Sequence, residues 1–185
     1  MLKALHDVDT TILNQIAADF GAPLYVYDSA RIQSQFERLT EAFKSVPRLK
    51  LNYAAKALSN ISILRLMKHL GSGLDTVSIQ EVRLGLLAGF APEDIIYTPN
   101  GVSLGELEEA AALGVQINID NLSVLEQFGS SHPQVPVCIR INPHVMAGGH
   151  SKISVGHIDS KFGISIHQIP HLMRIVELTG MKING

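Results

Sequence analysis

Residues 74–141 read LDTVSIQEVRLGLLAGFAPEDIIYTPNGVSLGELEEAAALGVQINIDNLSVLEQFGSSHPQVPVCIRI, and the recurrence of short β-branched runs within them decides the fold. Four runs stand out: LDTV (Leu74 to Val77), IIYT (Ile95 to Thr98), QINI (Gln116 to Ile119) and VCIRI (Val137 to Ile141). Each starts 21 residues after the one before it, and a further run, Leu49 to Tyr53, starts 25 residues ahead of the first. Such a period holds one strand, one short loop and one helix of about three turns. The segments between the runs have the required helical stripe: Ile63, Leu66, Met67 and Leu70 in one, Ile79, Val82 and Leu86 in the next, Leu107, Ala110 and Ala111 in the third. Gly89 and Gly114 stand where C-terminal caps are needed. The chain is a βα repeat.

Outward from this array, LYVYD (Leu24 to Asp28) reads as a lead-in strand. It precedes a helix carrying Ile32, Phe36, Leu39 and Phe43 and capped by Asp28 or Ser29. On the other side the period breaks over Asn142 to Ser160, a loop with Pro143, Gly148, Gly149 and Gly156 and with His144, His150 and His157. A helix then covers Ile169 to Leu178, and MKING (Met181 to Gly185) starts a sixth strand. Two α/β architectures use parallel strands in this way. A doubly wound sheet announces itself by G-x-G-x-x-G after its first strand, which is absent here, whereas a near-constant period is what a (β/α)8 barrel requires. The barrel is therefore the expected fold. A closed one takes about 250 residues, so the chain is read as the first five to six units of a longer protein. Residues 1–46 form the lead-in strand and helix, and 47–185 begin the barrel.

Composition narrows the partners. With 15 Lys and Arg against 17 Asp and Glu, the net charge is −2 and no dense basic run occurs, so neither nucleic acid nor an anionic membrane surface is an expected partner. No apolar run approaches the roughly 18 residues of a membrane span, and the start MLKALHDVDTTIL lacks the features of an export signal. The single cysteine, Cys138, suits a reducing compartment, so a cytoplasmic location is expected. Three histidines on a glycine-rich loop lack the fixed spacing of a metal site, and no metal is expected.

Parallel βα folds bind ligands at the carboxyl ends of their strands. The polar residues falling there are Asn52, Tyr53, Lys56, Asp75, Ser78, Tyr97, Asn100, Asp120, Asn121, Arg140 and Asn142. Lys56 ends LKLNYAAK among Ala54, Ala55 and Ala57, where space is left for a bulky planar group. A lysine so placed either attacks a carbonyl to form a Schiff base or is simply a solvated residue opening the next helix. Asp75 pairs with Lys56 or a ligand cation, or is a turn residue. Arg140 alternates with Ile139 and Ile141, so it faces the barrel interior if they face the helices.

These segments together resemble the diaminopimelate decarboxylases, pyridoxal-phosphate enzymes of the alanine-racemase-like fold. The resemblance is carried by APLYVYD (Ala22 to Asp28), LNYAAKAL (Leu51 to Leu58), GLDTVSIQEVRLGLLAG (Gly73 to Gly89), RINPHVMAGGHSKISVG (Arg140 to Gly156) and SKFGI (Ser160 to Ile164), in order along the chain. Leu58 departs from the family's usual Asn, and Val155 from its usual Thr. The resemblance implies a pyridoxal 5'-phosphate enzyme that decarboxylates meso-diaminopimelate to L-lysine, with Lys56 as the Schiff-base lysine. It further implies Asp75 and Arg140 near the cofactor, His150 and Lys161 near the mouth and the subunit interface, and a homodimer in the full-length protein. Related decarboxylases acting on carboxynorspermidine, ornithine or arginine, and a non-enzymatic pyridoxal-phosphate-binding barrel, are the alternatives.

Overall fold

A computed structural model describes residues 9–145 and 162–185. The chain divides between Ala42 and Phe43 into two compact units. The first holds α1 (Thr10–Phe20) and α2 (Ser29–Ala42). The Asp9 carboxylate accepts the Thr11 N–H at 2.8 Å, and Asp28 accepts the Arg31 N–H at 3.1 Å, so each helix begins on an aspartate that satisfies a free backbone donor. Leu24 to Asp28, expected as a strand, enters no β-ladder among the described residues. Alternation alone does not make a strand, because the ladder bonds that define one come from a neighbour.

In the second unit β1 (Asn52–Ala54), β2 (Gly73–Thr76), β3 (Ile95–Tyr97), β4 (Gln116–Ile119) and β5 (Val137–Ile139) form one parallel sheet in the order 1-2-3-4-5. Their starts lie 21 or 22 residues apart, since β1 begins at Asn52 rather than at Leu49. Every new strand joins the same edge, without the reversal of order that marks a doubly wound sheet, and the fold is an arc of a (β/α)8 barrel. Met181 to Gly185 continue the arc beside β5: the Val137 N–H donates to the Lys182 carbonyl at 3.0 Å and the Ile139 N–H to that of Gly185 at 2.9 Å.

The crossover helices are α3 (Ile61–His69), α4 (Ile79–Ala88), α5 (Leu104–Ala112) and α6 (Leu122–Ser131). Asn60, Ser78, Ser103 and Asn121 cap them in turn, with Glu106 closing a full capping box on Ser103. Strand residues alternate between two faces. Leu74, Ile95, Tyr97, Ile117, Ile119 and Val137 point to the helices and are at most 2% exposed, packed in a core with Leu64, Val82, Leu107, Leu125 and Phe128. Each such aliphatic side chain contributes about 2 kcal/mol by leaving water. Gly85, and not Leu86, is the buried residue of α4 where it meets the sheet, because a Cβ at 85 would lie 2.5 Å from Leu74 Cδ2. The opposite face carries Ala54, Asp75, Ile96 and Gln116 in one register row, with Asn118 and Cys138 in another.

The run VCIRI does not form one strand. The Arg140 N–H still donates to the Ile119 carbonyl at 2.8 Å, but the Arg140 carbonyl accepts from Ile164 N–H at 2.8 Å. At that residue the chain changes ladders, and β6 (Ile141–Asn142) pairs with β7 (Ile164–Ser165) in a separate parallel pair. A final helix, α7 (Ile169–Thr179), buries Leu172 and Ile175.

Candidate active site

β1 ends at Ala54 and the chain turns at once into a single 3-10 turn, Ala55–Ala57. Ala55 is fully buried, and its small side chain anchors the turn in the core while the next residue, Lys56, is exposed at the strand's carboxyl end. Lys56 lines a cavity of about 480 Å³ together with Asp75, Val77, Thr98, Asn100, Arg140 and Phe162. The three residues singled out in the sequence as a lysine, an aspartate and an arginine near one ligand thus share one cavity. Its size is that of a small-molecule site. It presents a primary amine, a carboxylate and a guanidinium beside two apolar walls, Val77 and Phe162.

Asp75 and Arg140 are each held from behind. Thr98 Oγ1 donates to Asp75 Oδ1 at 3.2 Å, and Asn118 Nδ2 donates to Thr98 Oγ1 at 3.0 Å. Asn118 Oδ1 is buried without a hydrogen-bond partner among the described residues, a loss of about 1–3 kcal/mol. The Arg140 guanidinium carbon lies 4.5 Å from the centroid of the Phe162 ring, a cation–π contact worth about 1 kcal/mol. Beside this cavity, a smaller one of about 220 Å³ shares Asn100 and is lined by Asn118, Asp120 and Asn121, with Asn100 Nδ2 donating to Asp120 Oδ2 at 2.8 Å.

Other polar residues at the strand ends serve elsewhere. Tyr97 is fully buried on the helix side, where burial first, then the charges of Glu106 and Glu109, push its phenol up to about 12. Tyr53 Oη donates to the Leu58 carbonyl at 3.1 Å, and Ser78 and Asn121 are helix caps. On the inner face, burial raises the Cys138 thiol, which donates to Asn184 Oδ1 at 3.3 Å. His150, His157 and Lys161 lie outside the described residues. The His144 ring stands edge-on to His167 with centroids 5.1 Å apart. Sequence reading passed over Thr98, Asn118 and Phe162. The signal for the first two was the alternation itself: once Tyr97 and Ile117 face the helices, residues 98 and 118 must face the opposite side, where the two cavities lie.

The family described as pyridoxal-dependent decarboxylase, pyridoxal binding domain, matches residues 29–185. The chain is 38% identical over 173 residues to the diaminopimelate decarboxylase of Methanothermobacter thermautotrophicus, covering 92% of this chain and 40% of that protein. With the diaminopimelate decarboxylase of Escherichia coli K12 it shares 32% over 185 residues, 97% of this chain and 43% of that one. The crystal structure of diaminopimelate decarboxylase from Helicobacter pylori complexed with L-lysine superposes with a TM-score of 0.81 at 33% identity, over 93% of this chain and 44% of that one. The chain thus spans about two fifths of the length of these curated relatives. Among the described residues no helix is long and apolar enough to cross a membrane, and no three His, Cys, Asp or Glu side chains are grouped to hold a metal ion.

Proposed function

The chain belongs to the pyridoxal-dependent decarboxylases, whose pyridoxal-binding domain it matches over residues 29–185, and from that premise we propose that the whole protein converts meso-diaminopimelate to L-lysine and carbon dioxide with pyridoxal 5'-phosphate. The observation that carries this reading is the meeting of Lys56, Asp75 and Arg140 in one cavity at the carboxyl ends of the strands. The likeness to diaminopimelate decarboxylases supports the substrate, and the Helicobacter pylori enzyme's complex with L-lysine supports the product.

The residues present fit the cofactor. A flat, anionic aldehyde needs an amine to hold its carbonyl carbon, cations for its phosphate and room for its ring. Lys56 is the only amine lining the cavity among the described residues, and about 480 Å³ accommodates the ring. When bound, the cofactor supplies a conjugated ring that takes up the electron pair of the breaking carbon–carbon bond. Lys56 would hold it by its carbonyl carbon and, after release, keep an amine at hand to carry a proton. Arg140, restrained on Phe162, offers its guanidinium to an anionic group, either phosphate or substrate carboxylate. Asp75 places a negative charge on the adjoining wall to orient cationic nitrogen. Val77 and Phe162 line the same space with apolar surface. We further propose that the whole protein is a cytoplasmic homodimer in which residues 1–46 lead into the barrel begun by 47–185; the roles the family resemblance implies for His150 and Lys161 fall outside the described residues.

The test is a substrate panel on the whole protein loaded with pyridoxal phosphate. Lysine and carbon dioxide should form from meso-diaminopimelate, with kcat/KM about a hundredfold above that for ornithine, arginine or carboxynorspermidine. A panel led by one of those three moves the protein to that relative. Cofactor uptake without carbon dioxide from any of them makes it a binding protein.

A further inference from the structure

We propose that Thr98 is a positioning residue for Asp75, and that Asn118 sets the sense of the hydrogen bond by which it acts. The three residues belong to successive strands: Asp75 in β2, Thr98 directly after β3, and Asn118 in β4. Thr98 is itself placed by the ladder, its N–H donating to the Thr76 carbonyl at 2.8 Å. Its hydroxyl has one proton to give and can accept as well. Because Asn118 Nδ2 donates to it at 3.0 Å, that proton is left for Asp75 Oδ1 at 3.2 Å, where an ionised carboxylate can only accept.

The unpartnered acceptor on Asn118 is the cost of this direction. Turning the amide over would present Oδ1 to Thr98 and claim the hydroxyl proton, leaving Asp75 Oδ1 without its donor. The arrangement found instead leaves Asn118 Oδ1 buried and unpaired among the described residues. A one-way chain of three side chains therefore ends on the carboxylate that lines the cavity with Lys56. Its job is to hold Asp75 in one rotamer, ready for a cationic nitrogen.

This inference rests on the proposed function for the identity of the ligand, but not for the geometry. The test uses the whole protein as Thr98→Val, Thr98→Ser, Asp75→Ala and the Asp75→Ala/Thr98→Val double variant. Crystal structures without cofactor report the Asp75 rotamer, and absorbance titration with pyridoxal phosphate reports affinity. Thr98→Val should leave Asp75 in more than one rotamer and weaken cofactor binding about tenfold, the scale of a lost hydrogen bond to a charged group. Thr98→Ser should restore both. In the Asp75→Ala background, Thr98→Val should change affinity less than twofold, because nothing remains to be positioned. An Asp75 rotamer unchanged in Thr98→Val, or an equal loss in both backgrounds, overturns the inference. If the wild-type protein takes up no pyridoxal phosphate, the functional reading falls and the rotamers alone decide this one.

Discussion

Gly163 has φ +83°, and a Cβ built on it would lie 2.8 Å from the Asn142 amide nitrogen, 3.0 Å from the Ile141 carbonyl carbon and 3.2 Å from the Arg140 carbonyl oxygen. All three neighbours are backbone, so nothing can swing aside. The absence of a side chain lets the chain return close enough for Ile164 N–H to reach the Arg140 carbonyl and for Phe162 to lie under the guanidinium. Gly163→Ala should cost about 2 kcal/mol from the backbone conformation alone, measured by denaturant unfolding of the whole protein, and should also weaken pyridoxal-phosphate binding. Unchanged stability would mean that β7 does not hold Arg140 as described. At this scale Lys56 and Arg140 were legible because strand ends and alternation locate them. Phe162 was not, since a ladder formed across a long loop leaves no local period to read.

Among the elements, β3 shows how alternation assigns chemistry. Ile95 and Tyr97 go to the helices and Thr98 to the cavity, and a phenol on the helix side ends up buried with its Oη unpaired among the described residues. Tyr97→Phe removes that hydroxyl and should stabilise the fold by about 1 kcal/mol near neutral pH. The phenol is raised from 10.0 to about 12, so the unfolded chain gives up this proton first. Folding stability is untouched by this proton below pH 10 and falls as pH rises towards 12, by about 3 kcal/mol in all by linkage. Unfolding of wild type and Tyr97→Phe at pH 7 through 12 should show the variant's advantage widening by this amount above pH 10; parallel curves would contradict the burial. The five strands and their crossover helices were legible from the 21-residue period. The break of VCIRI at Arg140 and the missing ladder at Leu24 to Asp28 were not, because both depend on which distant segment supplies the partner edge.

For the whole molecule, sequential strand order makes the sheet an arc, and among the described residues β1 is paired only to β2. An arc leaves ladder groups open for another chain. The polypeptide of residues 1–185, purified alone, should therefore self-associate and decarboxylate meso-diaminopimelate at least about a hundredfold more slowly than the whole protein. Solution mass and carbon dioxide release measured on both decide this. A monomer turning over within tenfold of the whole protein would mean that these strand ends suffice for the chemistry. The central proposal is narrower, that Lys56, lifted out of the core on the Ala55–Ala57 turn into the cavity of Asp75 and Arg140, holds the cofactor. Its most direct test is to load the whole protein with pyridoxal phosphate, reduce with borohydride and map the modified peptide by mass. The pyridoxyl group should sit on Lys56 and vanish in Lys56→Ala, whereas modification of another lysine, or an adduct that survives Lys56→Ala, would contradict the account.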